Sequence, residues 1–370
     1  MSFSIRLAAL LTLAVAPAFC ADWNAKLAEK YLDSRQQQWI EWPTAMHSGV
    51  ACVSCHTGLT YLLARPALRQ SLGEKTGPTL YESLLVSSIR ATVTRTDADD
   101  LFGGLKGRIV KQVYGAQVVL AALVLAMDDA PRGKLSPEGE RAFSRLWSQQ
   151  VTSGPDAGAW LWSDFDLDPW ETKDAAFYGA ALGALATGLA PAGYQSRPEI
   201  RENMAALKTY LQNAQKTQPL HNRLFLLWAA AKVPDLLPSA DRQAILDELW
   251  RKQEADGGWS IQSLGQWKTR DAAPASVGSN SYATALVSFS AEQAGIQPSQ
   301  AGLAKALAWL KTHQDPKGYW AAESMNHKHD AGTVPEKFMT DAATGYATAA
   351  LLAAGGEGIQ HTASTGKPGN

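Results

Sequence analysis

The sequence predicts an all-helical ring, an (α/α)6 toroid in which six helix pairs close on themselves. Three observations carry this reading. Helical runs alternate between amphipathic, charged segments and segments that are almost wholly apolar and small. No run of alternating β-branched residues is flanked by hairpin turns. A weak repeat also recurs along the chain, and repeats signal architectures built from stacked units.

The elements follow in order. Polar helices are expected near 24–40, 78–95, 137–150, 198–215, 240–253 and 299–313. Apolar partners are expected near 56–70, 109–128, 174–188, 220–232, 281–294 and 341–354. A helix that is apolar all round is a buried one. An open array would leave such a helix exposed at its end, and no polar cap is evident. Closure places the apolar helices in an inner ring. The expected organisation is a leader over residues 1–20, one toroid over 22–355 and a flexible tail over 356–370.

Composition narrows the function. Lys plus Arg number 34 and Asp plus Glu 35 in 370 residues, so there is no electrostatic footprint for nucleic acid. The chain is 46% hydrophobic, too apolar for disorder. Three Cys are too few for a disulfide framework. Arg6, the apolar stretch Leu7 to Ala16 and the small residues Ala16 and Ala18 read as a secretory signal, cleaved after Ala18 or Cys20. The apolar run is shorter than the ~20 residues a membrane span needs. A periplasmic or otherwise exported protein without a transmembrane span is expected.

Cys52-Val53-Ser54-Cys55-His56 is a C-x-x-C-H sequence, the spacing of c-type haem attachment. Two thiols one helical turn apart add to the haem vinyl groups, and the adjacent His binds the iron. A zinc site would need two further ligands, and a redox pair would need a βαβ context. One covalent haem c with its iron is the expected cofactor, with His56 as proximal ligand. His47, His221 and Met339 are the candidates for the distal position.

Gln253-Glu254-Ala255-Asp256-Gly257-Gly258-Trp259 matches Gln314-Asp315-Pro316-Lys317-Gly318-Tyr319-Trp320 as Q-x3-G-x-W. A looser copy ends in Gly158-Ala159-Trp160. Ser281 to Leu286, Gly345 to Ala350 and Phe177 to Leu182 match one another after these loops. The motifs resemble those of the squalene–hopene cyclase and protein prenyltransferase family. The resemblance is clear over about 140–355 and implies an α/α toroid in which Gln and Trp tie loop ends to helix ends. Trp160, Trp162, Trp259 and Trp320 are therefore expected to be structural.

His56 to Tyr61 and Asp341 to Tyr346 share a register, so His56 should open the first inner helix. Inner helices of such a toroid run parallel, and their N-termini meet at one mouth. His221, Met339, Asp174 and Asp341 are expected there, with helix capping the alternative role for the two Asp. Arg223 is expected to pair with a haem propionate. Asp97-Ala98-Asp99-Asp100 matches the D-x-D-D acid motif of the cyclases but lacks the Thr-Ala that follows it there. Cyclase chemistry is therefore not expected, nor is prenyltransferase chemistry, which the resemblance ties to a zinc set of Asp, Cys and His for which no Cys is available.

The expected function is a monohaem c-type cytochrome that passes electrons to a partner protein. The alternatives are a haem oxidoreductase acting on a small apolar, isoprenoid-like ligand in the toroid cavity, and a haem sensor.

Overall fold

In a computed structural model, the structure describes residues 23–47, 49–95, 106–191, 193–267 and 277–357. The expected leader, the D-x-D-D motif and the tail after Glu357 lie outside the described residues. The chain forms α1 (Ala25–Glu41), a two-residue hairpin of β1 (Met46–His47) and β2 (Val50–Ala51), α2 (Gly58–Ser71), α3 (Leu80–Thr94) and α4 (Arg108–Asp129). It continues as α5 (Pro137–Ser148), α6 (Ala175–Leu189), α7 (Arg201–Ala214), α8 (Leu220–Ala230), α9 (Ser239–Arg251) and the short α10 (Ile261–Leu264). The last helices are α11 (Ser281–Gln293), α12 (Ala301–Thr312) and α13 (Phe338–Leu352).

The ring closes. Helices α2, α4, α6, α8, α11 and α13 each pack on the next, and α13 returns to α2. Helices α1, α3, α5, α7, α9 and α12 pack around them. Burial explains the two compositions. In α6 the run Phe177 to Thr187 is buried throughout, whereas α7 buries only Met204, Leu207 and Leu211 along one stripe. Helix α4 is long and apolar enough to cross a membrane, but 72% of its apolar window is buried, as expected of a core helix.

Capping sets the helix starts. Thr79 and Glu82 form a reciprocal capping box on α3. Asn280 Oδ1 accepts from Tyr282 N and Ala283 N at the start of α11. Helix α2 begins at Gly58, two residues after the expected start, because Ser54 Oγ accepts from Thr57 N (3.0 Å) and Gly58 N (2.9 Å). His56 therefore lies in the turn that leads into the helix.

The repeat works as a clasp. Trp160, Trp259 and Trp320 donate their indole N–H to Leu146 O, Leu249 O and Leu310 O, each near the end of the preceding outer helix. Gln253 donates to Gly257 O and to Gly302 O on α12. Gln314 donates to Gly318 O and to Asn24 O, at the start of α1. The last repeat thus grips the first outer helix with the same bonds that join its neighbours. Gln150 does the same through Gly158 O and Asn203 O, so the expanded third loop keeps the full clasp. Gly318 has φ +96°, and a Cβ there would collide with the Leu27 carbonyl of α1. Gly318→Ala is expected to cost at least about 2 kcal/mol. Urea unfolding checks this, and a loss within about 0.5 kcal/mol would be that of an ordinary surface site.

The bore of the ring is filled. Tyr178, Phe225, Tyr346 and Phe289 follow one another edge to face or tilted, with centroids 4.7, 6.4 and 5.4 Å apart. These packed rings occupy the place expected for an apolar substrate cavity.

One buried acid near the far end of α11 has no counterpart in the sequence reading. Both carboxyl oxygens of Glu292 are buried without a hydrogen-bond partner among the described residues, and burial pushes its pKa up to about 9. The folded chain therefore holds this proton more tightly than the unfolded chain does. The stabilisation is complete below the ordinary carboxylate range and is lost as pH rises to about 9. Glu292→Met is expected to raise stability by about 1–3 kcal/mol at pH values near 8 and far less near pH 4. Thermal unfolding at the two pH values reads the difference, and an equal gain at both would refute it.

Candidate active site

The mouth at the N-terminal ends of the inner helices gathers Cys52, Cys55, His56, Glu171, Tyr178, His221, Tyr282 and Phe338. The strand pair Met46↔Ala51 and His47↔Val50 delivers the chain to it. Cys52 N donates to Ala45 O (2.9 Å), and Trp39 Nε1 donates to Cys52 O (2.8 Å). Both thiols are unpaired with each other. Burial, with the nearby Glu171 charge adding, pushes Cys52 up to about 12 and raises Cys55 too. Such thiols stay protonated near neutrality and are poor nucleophiles.

His56 is held by a chain of polar groups. Its Nδ1 meets Thr57 Oγ1 at 2.8 Å, and Thr57 Oγ1 donates to Asp341 Oδ2 at 2.8 Å. The single hydroxyl proton goes to the carboxylate, so Nδ1 carries the imidazole proton and Nε2 is the bare nitrogen. Burial, with Arg35 beside it, pushes His56 down to about 3. Asp341 also accepts from Arg35 Nε (2.7 Å) and Nη2 (2.9 Å) and from Tyr31 Oη (2.8 Å). It sits inside the first turn of α13, where it anchors this network in place of a cap. Asp174 occupies the N-cap of α6 without a side-chain cap bond.

Around His56 the space is aromatic. Phe338 stacks on the imidazole at 3.7 Å and 21°, Trp39 meets it edge-on at 5.1 Å and Trp170 lies at 5.7 Å. Trp170 packs against Tyr282 (5.6 Å), whose hydroxyl meets His221 Nε2 at 2.8 Å. His56 and His221 therefore share one mouth through two intervening rings. His221 Nδ1 bonds Asn222 Oδ1 at 2.9 Å, so both its nitrogens are engaged. Burial pushes it down to about 4. Arg223 pairs with Glu248 (2.7 Å) and donates to Gln218 O. Met339 is buried at the start of α13. His47 lies in β1, and its side chain is outside the described residues.

Glu171 was not singled out by sequence. It follows Trp170 in the loop before α6, and its backbone is pinned by paired bonds with Leu167. Burial alone pushes its carboxyl up to about 7, and its charge is felt by both thiols. The signal that could have found it is its position, three residues before Asp174 at the start of an inner helix.

Residues 214–366 match the squalene–hopene cyclase C-terminal domain family. That match covers less than half of the chain. No curated protein matches the chain. A solved glycosidase structure is similar over 89% of this chain and 98% of its own, with a TM-score of 0.51 and 13% identity. That likeness shows the α/α toroid fold.

These findings correct the expected function. The family and fold likenesses are to cyclase and glycosidase toroids. Among the described residues, no group of three or more His, Cys, Asp and Glu is placed to hold a metal ion. Phe338 stacks on the imidazole face, and Trp39 and Trp170 lie beside the ring. On these findings the electron-carrying cytochrome, the haem oxidoreductase and the haem sensor are set aside as the function. The C-x-x-C-H segment supplies the Ser54 cap at the start of α2, and Thr57 directly after it makes the tie to Asp341.

Proposed function

We propose that the protein is a toroid enzyme working by acid catalysis at this mouth. Glu171 is the proton donor, and a glycoside-like substrate lies against the aromatic rim of Trp42, Trp170 and Phe338. The observation that carries this reading is the Glu171 carboxyl, partly open at the mouth and held near 7. A carboxylic acid of that strength is still about half protonated at neutral pH. It can protonate the leaving oxygen of an acetal as the C–O bond breaks, while water adds to the anomeric carbon and gives up its proton to solvent. It is far too weak to protonate an isolated alkene, which separates this site from cyclase chemistry. The filled bore argues for a substrate bound across the mouth instead of threaded through the ring. Export, as the first twenty residues suggest, would bring the enzyme to extracytoplasmic saccharides.

The test is hydrolysis of a panel of aryl glycosides and oligosaccharides from about pH 4 to about pH 9. Turnover should fall as pH rises through about 7, because the protonated form is the active one. Glu171→Gln should lower kcat by about 10²–10⁴-fold. An unchanged rate in Glu171→Gln, or no turnover across the panel, would overturn the proposal.

A further inference from the structure

A cavity lies at the other end of the ring, remote from the mouth. It has a volume of about 710 Å³ and opens between α2, α3 and α4. Ala67 on its wall stands roughly 15 Å along the helix from His56. This volume falls within the ~300–1,000 Å³ of small-molecule pockets.

Its floor is aliphatic, built by Leu62, Leu63 and Ala67 of α2, Val86 of α3, and Val124 and Met127 of α4. Its rim is ion-paired with carboxylates in excess, since Glu74 shares Arg65 with Glu29 and Asp33 and keeps one buried oxygen without a hydrogen-bond partner among the described residues. Arg69 pairs with Glu82 (3.3 Å), Glu74 pairs with Arg65 (3.0 Å), and Asp128 is shared by Arg132 (2.6 Å) and Arg90. An anionic head would face this carboxylate excess and would have to displace one of the paired carboxylates, whereas the cationic end of a zwitterion can meet Glu74. A neutral or zwitterionic head group can hydrogen-bond to the rim and leave the pairs intact.

Two further residues point to a chain-bearing ligand. Leu80 and Leu84 of α3 are 66% and 42% exposed. They lie one step round the helix from the wall residues Ser83 and Ser87. Apolar side chains in water beside an apolar pocket extend the surface that an alkyl chain can cover.

We propose that this cavity binds a single-chain amphiphile, with its acyl chain on the aliphatic floor and a zwitterionic or uncharged head at the ion-paired rim. The probe is lauroyl-lysophosphatidylcholine below its critical micelle concentration, titrated calorimetrically into the full chain. Saturable binding of one molecule per chain is expected. Val86→Trp and Ser83→Trp fill the cavity from a partly buried and an exposed position, and each should weaken binding at least about tenfold. Ser83→Trp keeps the test decisive should Val86→Trp unfold, and thermal melting distinguishes the cases. Laurate, whose head is charged, should bind more weakly than the zwitterion. No saturable binding, or binding unmoved by Ser83→Trp, would overturn the proposal. So would association with phosphatidylcholine vesicles without binding of the monomer, which would assign Leu80 and Leu84 to a membrane surface.

Discussion

Asp341→Ala is expected to destabilise the protein by about 3–5 kcal/mol, the cost of leaving a buried charge without its partner. Arg35 and Asp341 are both nearly inaccessible to solvent, and Arg35 makes two bonds to the carboxylate. Burial works to lower the pKa of Arg35, but the Asp341 hydrogen bond and charge outweigh it and raise the pKa. The variant would therefore strand a guanidinium in the wall between α1 and α13. It would also release Thr57 and with it the Nδ1 tie of His56. Replacing both partners, as Arg35→Met with Asp341→Leu, should recover most of the loss, because apolar groups of similar size carry no desolvation cost. Urea unfolding of the single and double variants measures this. A single variant within about 1 kcal/mol of wild type would place the pair among weak surface bridges.

Trp320→Ala is expected to cost a further, independent 3–5 kcal/mol or about that amount, as large-to-small changes at buried aromatics do. Trp320 is fully buried, donates to Leu310 O at 2.8 Å, and its backbone N–H donates to Thr344 Oγ1. Its ring also lies 6.0 Å from Trp23, just before α1. Removing it opens a cavity at the seam where the last repeat meets the first outer helix. Trp42→Ala serves as the comparison, since Trp42 is only partly buried at the mouth and should cost much less. Equal losses in the two variants would show that the clasp does not hold the seam.

Much of the fold was legible because it rests on local signals. The alternation of apolar and amphipathic runs matches the inner and outer helices, with ends shifted by a few residues. Helix α13 starts earlier than the Asp341 register implied, and α2 later, because capping and the preceding turns decide the ends. The Gln–Gly–Trp clasp was also legible, since its two intact copies keep one spacing. Gln150 was missed because its loop is longer, so Gln and Gly no longer stand four residues apart.

Less of the mouth is legible in the sequence. The C-x-x-C-H spacing describes a few consecutive residues and says nothing of what fills the space around them. Phe338 and Trp170 arrive from distant parts of the chain and pack against His56. Glu171 escaped because no motif marks it. Its altered acidity comes from burial in the assembled mouth, which no local pattern encodes.

The most direct test of the account is the titration of the Glu171 carboxyl itself, by isotope-edited infrared spectroscopy with Glu171→Gln identifying the band. The protonated carboxyl band is expected to persist to near neutrality and to disappear with a midpoint of about 7. A midpoint at the ordinary value of about 4.3 would contradict it, leaving an ionised carboxylate at the mouth with no proton to give.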